Sequence, residues 1–265
     1  MRKGRVAALA GILAAAVGMG LFFPDLVVNV ADQKMEDQEE HFSVDTTASF
    51  ADGRLTDMMR LAMSYVDEIY LYSGVEQSEG DVASIAGNIA AKLSEDGILP
   101  QMTYGDAETE AFVAVGEKQE MGVMWRCRFF DEQASGILEM LIDDRSGKLL
   151  FFCYQRPMSD EDPLYGYRAY GEEPDGGKLK EAALKDLQER SEHMENFCRE
   201  YYGFTLSDEE YYVDEAGQGR ASMVFSDADG NQTPLCLSRD PDGTMYTWGW
   251  STGETASDEN AAMAF

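Results

Sequence analysis

Apolar side chains recur at three- and four-residue intervals over 55–72, at Leu55, Met58, Met59, Ala62, Val66, Ile69 and Tyr70. That spacing predicts an amphipathic helix, with Gly74 placed to end it. A second helix is predicted over 81–95, where Val82, Ile85, Ile89 and Leu93 share one face. Ser78 and Asp81 precede it with the spacing of a capping box, and Gly97 follows it. A third is predicted over 179–202, with Leu184, Leu187, Ser191, Met194, Cys198 and Tyr201 along its seam and Gly203 at its end. Between and after these helices the period falls from about 3.6 to 2. Trp125-Arg126-Cys127-Arg128-Phe129 alternates apolar and charged residues, as a half-buried strand does. A turn at Ser135-Gly136 leads into an apolar run over 138–142, and Asp144-Arg145-Ser146-Gly147 turns the chain into another over 148–154. An antiparallel meander follows from this pattern. The C-terminal region repeats it, with strands over 221–225, 235–237 and 245–250 joined by turns at 227–231 and 240–243.

Upstream of the helices the pattern is of another kind. Arg2, Lys3 and Arg5 precede 18 uncharged residues over 6–23, which as a helix would be about 27 Å long and would just cross a bilayer. Basic residues stay on the cytoplasmic side, so this segment would hold the chain in the membrane with everything after Pro24 outside. The alternative is a cleaved signal peptide; against it, the run is long for an h-region and Asn29 sits where a small residue is wanted. The organisation expected is an anchor over 1–30, an acidic spacer over 31–54 and a first module over 55–160. A Tyr/Gly-rich linker over 161–178, a second module over 179–252 and a disordered tail over 253–265 complete it.

Sliding the chain against itself by 96 residues matches Phe129 with Phe225, Asp131 with Asp227, Leu141 with Leu237, Asp144 with Asp240 and Gly147 with Gly243. A helix precedes the meander in both halves, which points to a duplication. The string from Leu141 through Asp143-Asp144-Arg145-Ser146-Gly147-Lys148 to Leu150 resembles the hairpin of PepSY-like domains. There an acidic strand end leads through a Thr/Ser-Gly turn into an apolar strand. The chain as a whole looks like the single-anchor extracytoplasmic proteins of Clostridia-type Gram-positive bacteria. That resemblance implies small helix-on-sheet modules, proposed to restrain peptidases, and carries no catalytic residues. The fold class expected is therefore α+β: an N-terminal transmembrane helix, then two helix-plus-antiparallel-sheet modules of a PepSY-like or cystatin-like kind.

Charge narrows the partners. Fifty Asp and Glu against 21 Lys and Arg give a net charge of −29, which repels phosphate backbones and excludes nucleic acid. Cys127, Cys153, Cys198 and Cys236 stand singly, with no C-x-x-C pair for a zinc ribbon. Their apolar surroundings favour buried free thiols, while an extracellular position permits one or two disulfides. His193 and Cys198 lie about 140° apart on a helix and cannot form a nucleophile and base pair by themselves. His41 falls in the acidic spacer, and no G-x-S-x-G, H-E-x-x-H, P-loop or G-x-G-x-x-G pattern occurs. The turns beginning at Asp227 and Asp240 resemble the opening of a calcium loop, but neither reaches a glutamate at the twelfth position, and plain hairpin turns want the same residues.

No catalytic residue, metal or cofactor is expected. The function expected is a non-enzymatic interaction module, single-pass in the cell membrane through 6–23, with its bulk extracellular. It would restrain a peptidase or serve an envelope or signalling membrane protein. The alternative is binding of cell-wall glycan or peptide through Tyr165, Tyr167 and Tyr170, whose rings among glycines could instead seal the joint between modules. A hydrolase of unfamiliar type ranks last.

Overall fold

The computed structural model describes residues 54–131, 135–160, 162 and 175–251. The 6–23 segment, the spacer up to Gly53, the three linker tyrosines and the tail lie outside the described residues. Among the described residues the chain runs α1 (Leu55–Ser64), β1 (Tyr65–Leu71), α2 (Glu79–Glu95), β2 (Glu108–Gly116), β3 (Met121–Phe130), β4 (Ile137–Asp143) and β5 (Leu149–Gln155). It continues through α3 (Gly176–Tyr201), β6 (Thr205–Val213), β7 (Gly219–Ser226), β8 (Gln232–Arg239) and β9 (Met245–Trp250). All neighbouring strands are antiparallel, and they form one nine-stranded sheet in the order β1-β2-β3-β4-β5-β9-β8-β7-β6.

This corrects the expected fold. The two meanders are not separate α+β modules; they share a single, mostly β, architecture and one core. The reason lies in the strands that end each meander. In β5, Leu149, Leu150, Phe151 and Phe152 are all buried, and in β9 Tyr246, Trp248 and Gly249 are too. A strand apolar on both faces cannot serve as a solvated edge, so β5 and β9 pair with each other. Their register sets Phe152 against Trp248 and Tyr154 against Tyr246. Phe152 and Trp248 are the residues that a 96-residue shift makes equivalent, so an approximate two-fold axis passes between them. The expected transmembrane helix has no counterpart here: among the described residues no helix is long and apolar enough to cross a membrane, and 6–23 lies outside them.

The first predicted helix is also corrected. It stops at Ser64, and Tyr65 is already extended at ψ 144°. Val66, Ile69 and Tyr70 fit a helical stripe, but YVDEIYL is rich in β-branched and aromatic residues, and β2 offers it an edge from Gly116 to Ala111. The short α1 buries Met58, Met59, Leu61 and Ala62 against one face of the sheet. Gly122 admits it: a Cβ there would lie 2.6 Å from Met58 Cε. Helices α2 and α3 lie side by side over the opposite face. Lys92 bonds Glu200 at 3.0 Å, and Arg190 donates to the Ile98 carbonyl. The α2 cap is as the sequence predicts, with Ser78 Oγ accepting from the Asp81 amide.

Left-handed residues mark the internal correspondence. Gly97 and Gly203 end the long helices, and each later turn of one half has a counterpart in the other: Gln119 with Gly217, Ser135 with Gly230, Gly147 with Gly243. Not every match of the 96-residue shift is structural. Leu141 faces α1 opposite Phe151, whereas Leu237 sits opposite Trp248 on the α3 face, because β4 and β5 slip register at a bulge after Leu141.

Candidate functional site

Burial disfavours the thiolate form of the cysteines. All four cysteines are free, with Cys127 and Cys198 buried and Cys153 and Cys236 half-buried. Burial pushes the Cys127 thiol up to about 12 and Cys153 up to about 11, and raises Cys198 and Cys236 as well. A thiol at about 11 carries on the order of a hundredth of the thiolate of an ordinary cysteine at neutral pH. Native Cys153 is therefore expected to react with Ellman's reagent at pH 8 about a hundredfold more slowly than in urea; prompt labelling of any one thiol in the folded chain would mark it as activated and contradict this. His193 packs its ring over Gly97, 3.5 Å from where a Cβ would stand.

The two acidic turns spend their carboxylates on their own backbone. Asp227 accepts from the amides of Asp229 and Asn231 at 2.9 and 2.8 Å and from the Asn231 side chain at 2.8 Å. Asp240 accepts from the Thr244 amide and hydroxyl at 2.7 and 2.8 Å and from the Met245 amide at 3.0 Å. Tyr165, Tyr167 and Tyr170 lie outside the described residues.

Among the described residues the sheet ends at β1 and β6, and the two edges are built alike. Each slips register just before an aspartate, at Asp67 and at Asp208. Each aspartate accepts from the next amide, at 2.9 and 3.0 Å, and each following glutamate accepts from a tyrosine hydroxyl, Tyr70 to Glu68 and Tyr211 to Glu209. They differ in what they expose. β6 shows one large apolar side chain, Tyr212, whereas β1 and its exit show Val66, Ile69, Tyr70 and a fully exposed Tyr72.

Beneath β1 lies a ladder of alternating charge on the α1 face. Arg126, only 8 % exposed, donates to Glu68 at 2.6 and 3.3 Å, to the Tyr65 hydroxyl at 3.1 Å and to the Tyr70 hydroxyl at 3.3 Å. Its guanidinium lies 4.9 Å from the Phe112 ring centre. Glu139 approaches Arg126 Nε at 3.7 Å and bonds Arg128 Nε at 2.7 Å, and Arg128 reaches Glu110 at 3.9 Å. The Arg126 hydrogen bond holds Glu68 below the usual carboxylate range. Burial opposes the charge on Arg126, but the contacts to Glu68 and Tyr65 outweigh it and its pKa rises. Removing Glu68 would leave the buried Arg126 charge without its closest partner, so this pair pins the edge strand in one geometry.

Where β1 ends, at Leu71 opposite Ala111, the edge steps inward. Residues 108–110 pair with β3 and border no other strand among the described residues. The step is a cleft of about 320 Å³ lined by Glu79, Glu108, Thr109, Glu110, Arg126 and Arg128. Sequence reasoning missed β1, β2 and β6. The signal that could have found the edges is a short repeat, Asp67-Glu68-Ile69-Tyr70 and Asp208-Glu209-Glu210-Tyr211. No protein family, no curated protein and no solved structure matches this chain.

Proposed function

We propose that this chain is a non-enzymatic interaction module of the outer membrane face, tethered through 6–23, which engages an envelope or signalling membrane protein along its β1 edge. A peptidase that it restrains belongs to the same class of partner. One observation carries the reading: of the eight large hydrophobic side chains exposed among the described residues, five fall in the ten positions from Met63 to Tyr72. Exposed apolar groups concentrated on an open strand edge mark an interaction site, because solitary edges are otherwise blunted against pairing. The Glu68–Arg126 pair supports it by holding that edge in one geometry, and the weakly ionised thiols speak for binding over covalent chemistry. Basic residues ahead of 6–23 support the location.

A photo-crosslinking amino acid placed at Ile69 or at Tyr72 in intact cells is expected to capture one discrete partner, and the same group at Tyr212 on β6 is expected to capture none. Absence of an adduct at both β1 positions, or equal adducts at Tyr212, would remove β1 as the contact surface.

A further inference from the structure

We propose that the occupant of the β1 edge is a basic, extended segment of the partner, which adds to the sheet as a tenth strand beside Asp67 to Tyr72. The inference rests on the reading of β1 as an interaction surface and names the chemistry of what binds there.

Among the described residues β1 is a terminal strand; the Glu68 amide is taken by Asp67, but beyond it the outer side of the strand is available to another strand, and Val66, Ile69, Tyr70 and Tyr72 add apolar area along the same line. The register slip at Val66 limits ladder growth in one direction, which leaves the regular stretch from Asp67 onward as the pairing segment.

Charge identifies the occupant. Glu68 and Glu110 are matched by arginines, but among the described residues Asp67, Glu79 and Glu108 make no ion pair. The last two line the cleft just past the end of β1. The two arginines of that cleft, Arg126 and Arg128, are already engaged by Glu68, Glu139 and Glu110, so a strand pairing with β1 meets a surplus of carboxylate, and lysine or arginine side chains on it gain from it. A second copy of this chain is the wrong occupant. Its open edges carry Asp67-Glu68 or Asp208-Glu209-Glu210, so either pairing sets like charges across from one another between molecules of charge −29. The shared acidic bulge of β1 and β6 thus prevents self-association, while only β1 adds the apolar residues that a foreign strand needs.

The test uses the full chain in non-ionic detergent and a fluorescent peptide alternating lysine and valine. A glutamate-valine peptide and a lysine peptide with proline in place of the valines serve as controls. The lysine-valine peptide is expected to bind, to slow hydrogen exchange of the amides over 67–72 by about fivefold or more, and to leave the β6 amides unchanged. The double variant Asp67→Lys/Glu108→Lys should weaken binding about tenfold at unchanged Tm, and Asp208→Lys/Glu210→Lys should not. Equal binding of the proline peptide, or equal weakening by the β6 variant, would reduce the effect to general attraction by an acidic surface and overturn the proposal. If crosslinking at Ile69 or Tyr72 captures a partner while the lysine-valine peptide leaves 67–72 unprotected, the basic strand fails and the β1 surface stands. Failure of both removes both.

Discussion

Trp248→Ala is expected to cost about 4 kcal/mol of unfolding free energy and to destabilise both halves of the sheet together. Trp248 is fully buried, sits opposite Phe152 across the β5–β9 seam and opposite Leu237 on β8, and meets the Phe225 ring at 6.3 Å. Removing the indole opens a cavity at the place where the two meanders join, and a close-packed interior relaxes into such a space only in part. If the meanders were independent units, the loss would be confined to the second. In a continuous sheet it spreads, because β5 loses its packing partner when β9 is loosened. With Trp250 on β9 replaced by Phe in both proteins, Trp125 on β3 is the one tryptophan left in the variant and reports on the first half, so urea unfolding followed by its fluorescence and by far-UV circular dichroism should give coincident transitions, both moved to lower urea. A Trp125 transition that stays at the wild-type midpoint while the dichroism shifts would show two units and refute the single sheet.

What the sequence disclosed and what it withheld divide along physical lines. The strands of the two meanders were legible because apolar–charged alternation is a local signal, as in Trp125-Arg126-Cys127-Arg128-Phe129, although the fold buries Arg126 along with its apolar neighbours. The long helices were legible because their stripes and stops agree, from Ser78 to Gly97 and up to Gly203. β1 imitates a helix because Val66, Ile69 and Tyr70 fall at i, i+3 and i+4 and Ile69 breaks the alternation expected of a strand; only pairing with β2, about 45 residues away, decides for the strand. β6 resists detection because Asp208-Glu209-Glu210 disfavours a strand by propensity and is tolerated only at an edge. The seam is a non-local event whose one local trace is Leu149-Leu150-Phe151-Phe152, a run too apolar for a half-solvated strand. The ladder was half visible. Arg126 and Arg128 are two apart and share a face, but Glu68 lies 58 residues from Arg126 and only the fold brings it near.

The largest effect of a single polar group is expected at Asp144, which as sequence is merely one residue of a hairpin turn. In the fold its carboxylate is 4 % exposed and accepts three bonds, from Trp125 Nε1 at 2.7 Å, from the Glu76 amide at 2.7 Å and from the Gln77 amide at 3.0 Å. Its own amide donates to the Val123 carbonyl at 3.2 Å. One side chain therefore ties the β4–β5 turn to β3 and to the segment that carries the chain from the end of β1 into α2. Asp144→Ala removes a charged acceptor from three donors, two of which belong to the connection between β1 and α2, so the loss should be about 3 kcal/mol or more. Asp143→Ala is the sharper control because it is adjacent and similarly buried, yet Asp143 serves mainly its own turn, through the Ser146 amide and hydroxyl. Its loss should be nearer 1 kcal/mol. Asp144→Asn keeps the shape but offers an amide group to positions that need an acceptor, and should fall between the two. Urea denaturation of the three variants measures the order, and tryptophan emission, to which Trp125 contributes beside Trp248 and Trp250, should shift to the red in the Asp144 variants alone. Equal losses at Asp143 and Asp144 would mean that the clasp between turn, strand and helix entry contributes no more than a turn does. The position of Glu76 and Gln77 ahead of α2 would then need another cause.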